Sequence, residues 1–250
     1  VSPLNYKTYF KVFFVVLVFF IPSLTHAQRI SNDQYNREFS FGVMAHPKGF
    51  GFDFRFGRYI SNGRIEYLEA EFLTIRHPKE IRIFNTAITN TNPYTFGKQN
   101  YAYVGRLGYG NKFMLTEKKL KNTASISLNV AAGPTFVLLK PVYLDILQTD
   151  VNNNSFVISK KVTEENEINQ NDVIGNSPFS KGFNELGFRM GAFAKAGFNF
   201  DWGDFSDEIK AIEVGVYVDA FPQRLPLMLY TENKYVFPSF YICAVFGNKW

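Results

Sequence analysis

One cysteine stands among 250 residues, so no intrachain disulfide is possible and a disulfide-stapled scaffold is excluded. Histidine is scarce too, and only His46 and His77 lie beyond residue 27, a poor basis for imidazole metal or acid–base chemistry. A large excess of one charge is missing. The formal net charge of +5 is too small to argue for nucleic acid, and no nucleic-acid partner, metal or cofactor is expected. No long apolar run follows residue 21, so 28–250 carries no candidate helical span. Aromatics, by contrast, reach 18%, high for a soluble domain and usual where a protein needs aromatic girdles at a membrane interface.

The first 27 residues read as a secretory signal peptide. Lys7 and Lys11 form the basic region, 12–21 (VFFVVLVFFI) the apolar region, and Thr25-His26-Ala27 a small-residue cleavage site. The apolar run is too short for a membrane-anchoring helix, which needs about 20 residues. Cleavage would remove Lys7 and Lys11 and take the formal charge from +5 to +3. No cysteine follows the site, so lipid anchoring is not expected.

Beyond the leader the pattern has period two. Phe50, Phe52, Phe54 and Phe56 alternate with Gly51, Asp53, Arg55 and Gly57. A strand sends alternate side chains to opposite faces, so one face is aromatic and the other small or charged. Eight such segments are predicted: 38–46, 49–59, 64–75, 100–110, 123–136, 186–200, 209–221 and 235–247. Apolar faces include Ile126, Leu128 and Val130 in the fifth, Val214 and Val216 in the seventh, and Phe240, Ile242 and Phe246 in the eighth. The opposite faces carry Asp53, Arg55, Tyr67, Glu69, Glu71, Arg106, Arg189, Lys195, Glu213, Tyr217, Asp219 and Tyr241.

Apolar faces paired with faces bearing both acids and bases, behind a secretion signal, predict an all-β, antiparallel, up-and-down transmembrane barrel. Its apolar faces would meet outer-membrane lipid and lipopolysaccharide. The interior groups would pair into a polar network, because eight strands leave room only for side chains. A narrow ion path is the functional alternative for the same residues. A soluble sandwich or lipocalin-like barrel would invert every face. Sparse, mixed charges and frequent glycine on the polar faces favour the membrane form.

The connections follow the same logic. Turns are expected at 60–63, 111–122 and 201–208, and external loops at 46–49, 76–99, 137–185 and 222–234. Within the longest loop, 142–148 and 156–162 flank Asn152-Asn153-Asn154 and predict a projecting hairpin. Asp145, Lys160 and Lys161 make these poor wall strands, which favours eight strands over ten. The remainder, 164–180, reads as polar and mobile. Lys112, Lys118, Lys119 and Lys121 on one turn, and Asp201, Asp204, Asp207 and Glu208 on another, read as solvated charges.

The last strand carries Phe240, Ile242, Ala244, Phe246 and terminal Trp250 on one parity, with Asn248 departing from it. In this, and in its strand pattern, the chain resembles the small outer-membrane β-barrel proteins, the group of outer membrane protein X and the transmembrane domain of outer membrane protein A. The resemblance implies insertion by the barrel-assembly machinery. The stretches 77–80 (HPKE), 96–100 (FGKQN) and 133–134 (GP) followed by 140–143 (KPVY) resemble uncharacterised porin-like barrel proteins, which implies no activity.

Catalytic motifs are weak. His46 and His77 are expected at the external rim, at neighbouring strand ends, with Glu80 close in sequence. Barrels that modify lipid A use a histidine with a serine and a carboxylate, but each histidine here precedes Pro-Lys, a strand-ending sequence. Asp150 begins a calcium-loop-like stretch that has Ser155 where glycine is needed and Lys161 where a bidentate glutamate is needed. Gly105, Gly108 and Gly110 precede no helix and form no phosphate cradle; they are expected to relieve crowding inside the barrel. The sequence therefore predicts a non-enzymatic barrel with a structural or interaction role in its loops and a possible envelope protein partner. A small pore and a lipid A-modifying enzyme are the rival readings.

Overall fold

In a computed structural model, residues 35–61, 63–86, 88, 91–116, 124–150, 154–163, 166, 168–203 and 207–250 are described. The expected signal peptide, Asn152, Asn153, Lys118, Lys119, Lys121 and Asp204 lie outside them. Eight strands close a barrel: β1 (Arg37–His46), β2 (Gly49–Ser61), β3 (Arg64–Ile75), β6 (Asn100–Met114), β7 (Ser125–Pro141), β11 (Gly187–Asp201), β12 (Glu208–Ala220) and β13 (Val236–Lys249). Each pairs antiparallel with the next barrel strand along the chain, and β1 pairs with β13 from Glu38↔Lys249 to Ala45↔Ile242. Closure leaves no free sheet edge among these strands, so their backbone groups are satisfied within the wall. The eight-stranded up-and-down barrel expected from period two is the fold, and the hairpin of the long loop is not part of its wall.

Alternation explains the wall. Along β2, Phe50, Phe52, Phe54 and Phe56 are exposed, while Gly51, Asp53, Arg55 and Gly57 are buried. The register continues the apolar face across strands: Phe41 opposite Phe54, Phe54 opposite Ala70, and Phe52 opposite Phe72. The Phe41 ring packs against those of Phe52 and Phe54, at centroid distances of 6.2 and 5.3 Å.

Glycine serves the interior where strands and large side chains crowd. A Cβ on Gly215 would lie 2.6 Å from the Gly197 Cα and 2.8 Å from the Tyr241 ring. Gly110 similarly admits the Tyr67 ring.

The loop end of the barrel is built up further. β4 (Arg82–Ile83) and β5 (Tyr94–Thr95) pair between β3 and β6. β8 (Tyr143–Thr149), β9 (Ser155–Lys161) and β10 (Val173–Asn176) form a separate sheet in the order β10-β8-β9. The expected hairpin is thus β8–β9, and Val173–Asn176, expected within a mobile stretch, is instead the third strand of its sheet. Val173 is fully buried against Leu144, Ile146 and Tyr94. β7 also runs to Pro141, so the long connection begins five residues beyond its expected start at 137.

Gly215→Val tests the crowded interior. Its methyl groups have no room without backbone displacement, and overpacking of this kind costs about 1–3 kcal/mol. The urea midpoint for loss of the folded band on an unheated SDS gel should fall, and an unchanged midpoint would contradict the packing described.

Candidate functional site

The barrel interior has three layers. At its middle, five carboxylates meet three cations. Arg55 contacts Asp53, Glu213 at 2.5 Å and Glu69 at 3.6 Å. Arg106 bridges Glu71 at 2.7 Å and Asp219, to which its Nε and Nη2 donate at 2.9 and 2.6 Å. Lys195 lies 2.8 Å from Glu69, 3.3 Å from Asp53 and in contact with Glu71. Asp53, Glu69 and Glu71 together have a donor set that could hold a metal ion, but the Lys195 ammonium already touches all three.

Tyrosines and an asparagine complete the layer. Tyr241 Oη donates to Glu213 at 2.5 Å, and Asn129 Nδ2 donates to the other oxygen of that carboxylate, also at 2.5 Å. The Arg106 guanidinium stands 4.1 Å from the Tyr217 ring centroid. Tyr67 Oη reaches the Val130 carbonyl at 3.4 Å. Sequence reasoning set these groups in the interior network except Asn129, which the strand's parity turns inward but whose uncharged amide did not mark it as a member. Arg189 is a correction. It shares the inward parity but lies half-buried near the loop end of β11, donates to its neighbour's carbonyl at 2.9 Å, and takes no part in the central ion pairs.

A second layer corrects the expectation of a wholly polar lumen. At the loop end Leu73, Ile75, Val104, Val137 and Leu139 turn inward and pack with Leu225, Leu227, Met228 and Phe237. Residues 222–234, expected as an external loop, thus send the apolar side chains of Leu225, Leu227 and Met228 into the mouth. At the opposite end Lys112 pairs with Glu38 at 3.2 Å and Lys249 with Asp201 at 3.5 Å. Lys112 and Asp201 are accordingly buried members of strands, not solvated turn residues.

The outer wall carries the remaining named residues. Phe50, Phe52, Phe54, Phe56, Val214, Val216, Phe240, Ile242 and Phe246 are exposed there, Phe240 to 72%. Ile126, Leu128 and Val130 share the outward parity but are half-covered.

His46 and His77 do not stand on neighbouring strands, because β2 lies between β1 and β3. The His46 Nδ1 is 3.0 Å from Tyr217 Oη. His77 Nδ1 accepts from the Lys79 backbone at 3.2 Å, while the His77 N–H donates to Glu80 at 3.0 Å. Glu80 also binds Lys98 at 2.6 Å. Burial lowers the proton affinity of His77 and, despite Glu80, of Lys98. The arrangement serves as a turn lock, and no serine joins either imidazole by a hydrogen bond among the described residues.

Cationic groups collect where wall meets loops. Arg76, Arg82 and Lys98 border a polar pocket with Glu80, Thr95 and Tyr101. Lys140 is buried beside it, 4.5 Å from the Phe179 ring and 5.5 Å from that of Tyr101. Above, the β8–β10 sheet rests on its own core of Val142, Leu144, Ile146, Val162 and Val173.

No family model matches the sequence, and no curated protein matches it. Among solved structures it is similar to Neisserial surface protein A, with 8% identity and a TM-score of 0.41, over 86% of this chain and 97% of that one. It is similar to the N-terminal β-barrel domain of Pseudomonas aeruginosa OprF, with 7% identity and a TM-score of 0.36, over 87% and 98%. It is also similar to Ail, the attachment invasion locus protein of Yersinia pestis, solved with the heparin analogue sucrose octasulfate, with 8% identity and a TM-score of 0.36, over 86% and 97%.

Two substitutions separate the layers. Arg106→Met leaves Glu71 and Asp219 without their shared cation, and breaking a buried pair this way costs about 3–5 kcal/mol. The urea midpoint of the barrel should fall sharply. Leu144→Ala empties part of the loop-sheet core, a change costing about 2–5 kcal/mol. Limited proteolysis should then cut 142–176 faster while the heat-dependent gel shift of the barrel stays. Loss of that shift would show the two cores to be one unit.

Proposed function

We propose that the protein is an integral outer-membrane β-barrel, inserted by the barrel-assembly machinery, that acts through its external loop sheet in a structural or interaction role. One observation carries the reading: the outer wall is an apolar, aromatic-rich band, while charge is sequestered inside as ion pairs. Such a surface has no stable exposure to water and matches lipid. The secretion signal read from the sequence supports the same location.

Two features favour a plug over a pore. Side chains of Arg106, Glu71 and Glu213 fill the middle with no exposed surface, and Leu225 and Leu227 cover the mouth. A non-enzymatic role is supported by the engagement of both histidines and Glu80 in local bonds. Function then falls to the surface that varies most from a bare barrel, the β8–β10 sheet. Its exposed Phe156 and Val157 present an apolar edge suited to a protein partner in the envelope or beyond the cell.

Two measurements test this. A Phe156→Cys variant in intact cells should react with a membrane-impermeant maleimide, whereas native Cys243, which is fully buried, should not. Failure to label Phe156→Cys without cell rupture would invert the topology. Purified protein in a planar bilayer should give no steady conductance, and sustained single-channel steps would replace the plug with a pore.

A further inference from the structure

The outer wall has a notch at Gly105. Facing outward in one row across the barrel stand Val43, Phe52, Phe72, Gly105, Phe136 and Met190, paired in that order. Every member is large except Gly105. Nothing in the fold demands glycine there: its backbone is not left-handed, and the nearest atom to an added Cβ would be a Phe72 ring carbon at 3.9 Å. In the next row toward the loops Thr74 is the small member, opposite Tyr103. Gly105 and Thr74 open an apolar groove of about 540 Å³ between the Phe52–Phe72 and Phe136–Phe188 aromatic pairs. That is the size of a small-molecule site.

The groove leads into polar surroundings. Phe50, Thr74 and Tyr103 line both it and the pocket of about 440 Å³ at the loop end of the wall. Arg76 and Arg82, both exposed, border that pocket with Lys98, which pairs with Glu80. Thr95, Asn176 and Glu80 add hydroxyl, amide and carboxylate groups on the same lining. Apolar groove below and cationic, hydrogen-bonding pocket above form one continuous, amphipathic surface.

We propose that this surface binds one molecule of a phosphorylated, acylated saccharide lipid of the lipid A type. An acyl chain lies in the groove at Gly105, and a phosphate pairs with Arg76 and Arg82. Arginine suits the second contact because its planar fork matches phosphate oxygens. The pocket exceeds what a bare phosphate fills, and its neutral polar lining suits sugar hydroxyls. The proposal rests on the outer-membrane reading, which puts the loop end of the wall in the outer leaflet.

Native mass spectrometry of the full chain, refolded in neutral detergent with lipid A or phosphatidylglycerol added, tests it. Wild type should retain one lipid A and little phosphatidylglycerol. Gly105→Leu, whose Cβ would lie 3.9 Å from its nearest neighbour and whose branch enters the groove, and Arg76→Ala/Arg82→Ala should each lower retention by at least about tenfold, as loss of one anchor requires. Gly105→Ala should fall between. A heat-dependent gel shift on every sample reports the folded barrel. Variants that shift yet retain lipid A at the wild-type level overturn the site and leave the membrane reading intact. Equal retention of phosphatidylglycerol overturns the saccharide headgroup. Wild type without a shift, found in the soluble periplasm, removes the membrane reading and this proposal with it.

Discussion

Arg55, Arg106 and Lys195 hold five carboxylates inside a closed wall, and this pairing sets what the barrel can be. A charge removed from water is costly unless it meets an opposite charge and further hydrogen bonds. The strands supply both from different parts of the chain: Asp53 and Arg55 from β2, Glu69 and Glu71 from β3, Arg106 from β6, Lys195 from β11, Glu213 and Asp219 from β12. A slip of one residue in any of these strands would turn its interior charges onto the apolar face. The network therefore fixes register as well as filling space.

The filled interior leaves the ends and the outside of the barrel to act. The turn end is closed by smaller pairs, Glu38 with Lys112 and Asp201 with Lys249. The loop end is closed by an apolar plug, over which a second sheet builds its own core. Between plug and sheet lies a collar of Arg76, Arg82, Lys98 and Lys140, at the height where a polar headgroup would meet the wall. The collar, the notch at Gly105 and the exposed edge of β9 are the surfaces on which the proposed functions depend.

Legibility in the sequence varied by region, for a physical reason. Strands with one apolar and one polar face, such as β2 and β12, announce themselves because period two changes chemistry at every step. The upper part of β6 shows its strand but hides the character of its inner face. Tyr101 and Tyr103 on one face and Ala102 and Val104 on the other are all apolar, so no alternation revealed that the interior turns apolar there. β10 is four residues long and contains a glycine, too little for a periodic signal, and only its partner β8 makes it a strand. Asn129 shows its inward parity but not its partner Glu213, and the Leu225–Met228 plug carries no motif at all.

The sequence by itself determined the eight wall strands, their two faces and the eight charges of the central network, because strand geometry ties face to residue parity. Tertiary structure alone decided which acid meets which base, that Arg189 stays outside the central network, that the mouth is stopped by residues 222–234, and that Gly105 opens a groove rather than relieving crowding. Those outcomes depend on register between strands distant in the chain, and a local pattern of alternating side chains holds no information about what stands opposite.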